Sequence, residues 1–168
     1  MANITFQGTP IQTLGNLPAI GSKAPDFKLT NSDLNDLSLK DFEGKKKILN
    51  IVPSLDTGVC AASAQKFNAL IEKKPDTVVL TISKDLPFAQ SRFCSAKDIK
   101  NIVTLSSMRT NDFAKDYQVE MTTGPLAGLL SRAIVVLDKD NTVLYTEQVP
   151  EIGQEPNYKN ALKAVGIN

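Results

Sequence analysis

Ile48-Leu49-Asn50-Ile51-Val52-Pro53-Ser54-Leu55-Asp56-Thr57-Gly58-Val59-Cys60 carries an apolar run into a proline, a short polar loop and a cysteine. An apolar run with little alternation suits a strand covered on both faces. Lys47 to Pro53 is therefore the expected central strand, and Pro53, which cannot donate to a ladder, ends it. Beyond the loop, Cys60, Ala64, Phe67, Leu70 and Ile71 fall at helical spacing and predict an amphipathic helix from Cys60 to Glu72. Strand, tight connection and helix in that order form the repeating unit of an α/β domain.

The same alternation continues downstream. Thr77–Ile82 reads as a second buried strand, and Pro87–Phe93 as a short helix with proline at its first position. Ile102–Leu105 is a third strand, and Asn111 caps a helix expected to reach about Tyr117. Arg132–Leu137 and Val143–Glu147 form a hairpin across Asp138–Asn141, and a last helix is expected from Tyr158 to Val165. Upstream, Ile4, Phe6, Ile11 and Leu14 around Gly8-Thr9-Pro10 predict a hairpin within residues 1–15. Phe27–Thr30 and Leu37–Leu39 look like short edge strands, with a turn at Asp41–Gly44. The expected architecture is a three-layer α/β fold with a mixed central sheet, preceded by the hairpin. At 168 residues the chain is expected to be one domain, 1–168, with a core that needs no staples.

Composition narrows the chemistry. Net charge is +1 with both signs interspersed, and no basic stripe marks a nucleic-acid partner. Met1–Gly8 has neither a charged nor an apolar leader region, and no apolar run reaches membrane-spanning length. A soluble, cytoplasmic protein with no membrane partner is expected. Histidine is absent, which removes Ser-His and Cys-His catalysis, and two cysteines cannot complete a four-ligand zinc site. No phosphate-cradling glycine motif occurs either. Thiol chemistry is what remains.

Cys60 stands where a helix begins, and free N–H groups and the helix dipole there favour a thiolate, the reactive form of cysteine. Ala61-Ala62-Ser63-Ala64 adds no acidic side chain and leaves room for a small substrate. Thr57 occupies the position at which a disulfide oxidoreductase would carry its other cysteine. Simple disulfide exchange is thereby disfavoured, whereas a hydroxyl there can donate to a thiolate or to an oxygen bound beside it. The residues alone also allow Cys60 to be a buried space-filler. Arg132 opens an apolar strand, so its guanidinium either reaches solvent or assists Cys60 by binding developing negative charge. Cys94 admits three readings: a permanent disulfide worth roughly 3–4 kcal/mol of chain constraint, a transient one, or an inert buried thiol.

Pro53-Ser54-Leu55-Asp56-Thr57-Gly58-Val59-Cys60 resembles the P-x-x-x-T-x-x-C loop of peroxiredoxins. Asp85-Leu86-Pro87-Phe88-Ala89-Gln90-Ser91-Arg92-Phe93-Cys94 resembles the resolving-cysteine helix of their bacterial thiol peroxidase subfamily, the atypical two-cysteine type. The opening hairpin and Leu130-Ser131-Arg132-Ala133 are similar to that subfamily as well, so the likeness covers nearly the whole chain. It implies a thioredoxin-like fold and a peroxidase that needs neither metal nor organic cofactor. By resemblance Cys60 is peroxidatic and Cys94 resolving, Pro53 shields the thiolate, and Thr57 and Arg132 orient the hydroperoxide. Thioredoxin is the implied reductant and a homodimer the implied assembly. Two consequences are expected: both cysteine helices unwind locally to form the disulfide, and Leu86, Phe88 and Phe93 either favour organic hydroperoxides or are core. The rivals are a redox switch using the same cysteines without turnover, and a non-catalytic interaction module.

Overall fold

The computed structural model describes residues 2–167. Two strands, β1 (Asn3–Phe6) and β2 (Thr9–Gln12), pair antiparallel as the expected hairpin. Its turn is Gln7-Gly8 rather than Gly8-Thr9-Pro10, with φ of 51° and 79°, the left-handed geometry that a two-residue hairpin turn requires. Pro10 instead sits in β2 opposite Thr5.

Seven strands form the main sheet. They are β3 (Leu29–Thr30), β4 (Asp36–Leu37), β5 (Lys46–Ile51), β6 (Thr77–Ser83), β7 (Val103–Ser106), β8 (Ala133–Leu137) and β9 (Val143–Gln148). Their spatial order is β4-β3-β7-β6-β5-β8-β9, with β5, β6 and β7 parallel and the flanking pairs antiparallel. The mixed sheet matches the sequence expectation. Alternation along β5 shows why its apolar run is unbroken: Leu49 and Ile51 face one core and Ile48 the other.

Four helices cover the faces: α1 (Gly58–Ile71), α2 (Pro87–Ala96), α3 (Asp112–Asp116) and α4 (Tyr158–Ala164). Cys60, Ala64 and Phe67 of α1 pack with Phe93 of α2 and Leu162 of α4 on one side of the sheet. Phe113 and Ala114 of α3 pack on the other, beside Leu39 and Phe42. The result is the three-layer, thioredoxin-like α/β fold.

Several boundaries differ from those expected. Residues 39–42 make a one-turn 3₁₀ helix, not the end of a strand and a turn, because the Ser38 N–H is captured by Asp41 Oδ2 at 2.8 Å. Helix α1 starts two residues before Cys60, with Thr57 as its N-cap. Helix α2 runs to Ala96, so Cys94 lies within its last turn rather than just beyond a helix ending at Phe93. Arg132 precedes β8 instead of opening it.

A third small core joins the hairpin to the body. Ile4 and Ile11 pack with Met121 and Ile152, with Phe6, Leu126 and Leu129 against them. The hairpin also extends pairing beyond β9: Thr5 N–H donates to Pro150 O at 2.8 Å and Ile152 N–H to Thr5 O at 2.9 Å.

Candidate active site

The loop between β5 and α1 delivers Cys60 to the inner layer. Strand β5 stops at Ile51 rather than at the expected Pro53, which lies buried two residues further on, and Cys60 is fully buried in the first turn of α1. Thr57 caps that turn: its Oγ1 accepts from the Cys60 N–H at 3.3 Å and donates to Ser54 O at 3.2 Å. The sequence suggested that this hydroxyl would donate to the thiol or to a bound oxygen. In the structure its proton is directed to the Ser54 carbonyl, and the Thr57 side chain orders the helix start instead. No acidic side chain lies in the first turn of α1, so nothing there opposes negative charge at the helix N-terminus.

Arg132 does not reach solvent. It is 2% exposed, its Nη1 lies 3.1 Å from Cys60 Sγ, and its Nε donates to Ile152 O at 2.7 Å. No ion pair to a carboxylate involves Arg132 among the described residues. A guanidinium is always charged, and a buried charge needs compensation. The sulfur at 3.1 Å is the partner that the fold provides.

A cavity of about 270 Å³ opens onto Arg132, while Cys60 itself is fully buried and does not line it. Pro53, Thr57 and Arg132 line it, together with Phe6, Leu126, Leu129 and Ile152, which form apolar walls. Of the five residues proposed from sequence, Pro53, Thr57 and Arg132 thus meet at one cavity next to Cys60, whereas Cys94 does not line it. A larger cavity of about 740 Å³ lies along α1 and α4, bordered by Lys66, Leu70 and Leu162, and carries no thiol. Tyr158, at the start of α4, packs edge-on against Phe67 with ring centroids 5.1 Å apart. Burial raises the pKa of its hydroxyl, and the neighbouring Glu155 carboxylate, 2.8 Å away, adds to the effect.

Cys94 is half-buried on α2, and burial holds its thiol above the usual cysteine range. Both cysteines are free thiols. The apolar company expected around Cys94 from Leu86, Phe88 and Phe93 is only partly present. Phe93 is buried, but Leu86 and Phe88 are 55% and 67% exposed and do not border the 270 Å³ cavity. The hairpin and the segment before β8 supply the apolar walls in their place.

The redoxin family profile matches residues 19–162. A thiol peroxidase of Mycobacterium tuberculosis is 52% identical over 166 residues, 99% of either chain. The chain belongs to the redoxin family. Among solved redoxin-like structures, a peroxiredoxin-like protein from Aquifex aeolicus superposes with a TM-score of 0.92 at 34% identity, over 98% of this chain and 95% of that one. A thiol peroxidase from Chromobacterium violaceum shares the fold, with a TM-score of 0.90 at 24% identity and the same coverage. The family match begins after the hairpin, so the element that supplies Phe6 to the cavity lies outside the matched segment.

Two residues of this redoxin site had no signal in the sequence. Asp85 accepts hydrogen bonds from Ser54 Oγ and the Leu55 N–H, both at 2.8 Å, and so grips the loop that carries Cys60. Glu151 holds the hairpin turn, accepting from Thr5 Oγ1 at 2.6 Å, the Gln7 N–H at 3.0 Å and the Gly8 N–H at 3.2 Å. Asp85 stands inside the quoted Cys94 motif, but a lone carboxylate in a loop says nothing about which distant N–H groups it will meet. No helix among the described residues is long and apolar enough to cross a membrane.

Proposed function

We propose that this redoxin is a thiol-dependent peroxidase that reduces hydrogen peroxide and organic hydroperoxides to water or alcohols, with Cys60 as the attacking sulfur. The observation that carries this reading is the contact of Arg132 Nη1 with Cys60 Sγ at 3.1 Å, buried and aimed by the Ile152 carbonyl. The buried guanidinium sets a fixed positive charge and an N–H donor beside the sulfur, where charge develops as the O–O bond breaks.

The Cys60 thiolate attacks the terminal oxygen of R–O–O–H, forming an S–O bond as the O–O bond breaks. The products are Cys60–SOH and an alkoxide or hydroxide that takes a proton from water. Arg132 bridges sulfur and the transferred oxygen, stabilising charge that spreads along the breaking bond. Pro53 excludes water from the sulfur, and Thr57 fixes the N–H groups at the helix start. Cys94 then loses its proton and its thiolate displaces hydroxide from Cys60–SOH, giving the Cys60–Cys94 disulfide, while the released proton and hydroxide make water. An external dithiol of the thioredoxin class reopens the disulfide and leaves both cysteines reduced. No metal or bound organic cofactor enters any step.

Each cysteine sits in a regular helical turn, so both α1 and α2 unwind locally before the sulfurs bond. The chain acts as a single domain, 1–168, in the cytoplasm, and as a homodimer. Exposed Leu86, Phe88 and Met108 supply apolar surface for that assembly.

Stopped-flow oxidation of the reduced protein by a hydroperoxide tests the reading. Oxidation far faster than that of a free thiol is expected. It is abolished in Cys60→Ser and stops at sulfenic acid in Cys94→Ser. A wild-type rate no better than that of a free thiol overturns the peroxidase reading in favour of a redox switch or an interaction module.

A further inference from the structure

The segments carrying the two cysteines are joined by one carboxylate. Asp85 Oδ1 accepts from Ser54 Oγ at 2.8 Å, while Oδ2 accepts from the Leu55 N–H at 2.8 Å and from Ser83 Oγ at 2.9 Å. Ser54 and Leu55 belong to the loop leading to Cys60. Ser83 Oγ in turn accepts from Gln90 Nε2 at 3.1 Å, and Gln90 stands one helical turn before Cys94 on α2. The Asp85 carbonyl is itself held by Ser106 Oγ at 2.6 Å, which anchors the junction to β7. Gln90 is fully buried, and its Oε1 has no partner among the described residues. This stretch of α2 is therefore tied inward through one amide nitrogen, shared between Ser83 Oγ and Leu105 O.

We propose that Asp85 is a positioning residue that latches the Cys60 loop to the base of the Cys94 helix and so sets the rate of disulfide formation. The proposal rests on the reading of Cys94 as the resolving thiol. Attack on peroxide uses the latched arrangement, in which Arg132 faces Cys60. Condensation of Cys60–SOH with Cys94–SH, with loss of water, uses the unlatched one, because both helices open first. Hydrogen bonds to a charged carboxylate are the stronger kind, so their loss moves this balance by a large factor.

If the unlatched state is ~1% populated, a tenfold shift raises it to ~10% and leaves the latched state near 90%. The resolving step then accelerates about tenfold, while the peroxide step changes by less than about twofold. Over-oxidation of the sulfenic acid competes with resolution. The peroxide concentration causing half-inactivation therefore rises about tenfold as well.

The experiment measures both steps in the intact protein. Asp85→Asn keeps size and polarity but presents an NH₂ to one of the donors. Sulfenic acid formation is followed in a Cys94→Ser background, and disulfide formation with both cysteines present. Faster disulfide formation at nearly constant sulfenic acid formation supports the latch. Ser54→Ala removes a single donor and is expected to accelerate disulfide formation by a smaller factor, about threefold; it carries the test if Asp85→Asn folds poorly. Loss of stability with an unchanged ratio of the two rates would assign Asp85 a purely structural role and overturn the proposal. If the wild-type protein forms no Cys60–Cys94 disulfide, the resolving-thiol reading fails and the latch with it. A wild-type disulfide whose rate is unaffected by either variant sinks the latch alone.

Discussion

Arg132 is held from two directions, and only a guanidinium can span both. Nε reaches Ile152 O and Nη1 reaches Cys60 Sγ, a fork that a single ammonium cannot reproduce. Arg132→Met should slow Cys60 oxidation by about 10²–10³-fold, the scale of losing one preorganised donor at a developing charge. Arg132→Lys should recover only part of that loss in the same stopped-flow assay. Thr57 makes a separate prediction. Because its Oγ1 caps α1, Thr57→Val should lower stability by about 1 kcal/mol, read by urea unfolding, while Thr57→Ser should not. Equal stability of the two variants would contradict the capping role. Cys94 adds a pH signature. Burial raises its pKa above the ordinary 9.0, so its thiolate is scarce at neutral pH. The rate of disulfide formation should climb with pH through neutrality, in rapid-quench experiments on the sulfenic acid. A plateau near pH 7 would mean that Cys94 deprotonation does not limit resolution.

At the scale of elements, the hairpin is part of the site although it lies outside the seven-stranded sheet. Its Thr5 carbonyl accepts from the Ile152 N–H, and the Ile152 carbonyl aims Arg132. Glu151 secures the turn, and these hydrogen bonds, led by that from Thr5, depress its carboxyl pKa to about 2 from 4.5. A depressed carboxyl pKa contributes stability that is complete above the ordinary value and lost as pH falls toward the folded one. Docking of the hairpin should therefore weaken between about pH 4.5 and 2, seen as faster amide exchange at Gln7 and Gly8. Glu151→Gln should show the fast exchange at pH 7 and lose the pH dependence. With Phe6 displaced from the cavity wall, that variant should also lose more kcat/KM toward cumene hydroperoxide than toward hydrogen peroxide. Much of this architecture was legible in the sequence, because period and punctuation are local. The β5 run, Pro53, the spacing after Cys60 and the terminal hairpin and helix each declare themselves within a dozen residues. Helix ends were not legible where a side-chain cap decides them, as Thr57 does for α1. Cys60, Thr57, Pro53 and Arg132 were nominated by motif, and three of them line one cavity beside the fourth. Asp85, Glu151 and the walls from Phe6, Leu126 and Leu129 were missed because long-range contacts leave no periodic trace.

For the molecule as a whole, the apolar surface around the start of α2 calls for an explanation. Leu86 and Phe88 are 55% and 67% exposed, and Met108 is 36% exposed. Leu86 borders two shallow hollows, one shared with Met108 and one with Phe88, so the three residues form one patch. Its neighbours Arg92 and Arg109 give it a basic rim. A two-fold pairing through this patch meets itself, so each substitution counts twice. Burying one phenylalanine contributes about 1.5–3 kcal/mol, and the doubled loss corresponds to a dimer constant weakened by roughly 10²–10⁴. If the proposed dimer forms through this patch, Phe88→Asp should sediment as a monomer at a micromolar concentration at which the wild type sediments as a dimer. Identical sedimentation of the two proteins would remove the patch from the assembly. Such a pairing would also bear on chemistry, because Phe88 lies near the start of the helix whose last turn carries Cys94. Clamping the start of α2 restrains the same end of the helix that Asp85 holds. Phe88→Asp should then alter disulfide formation more than the initial oxidation of Cys60, in the same two-step kinetics that separate those events.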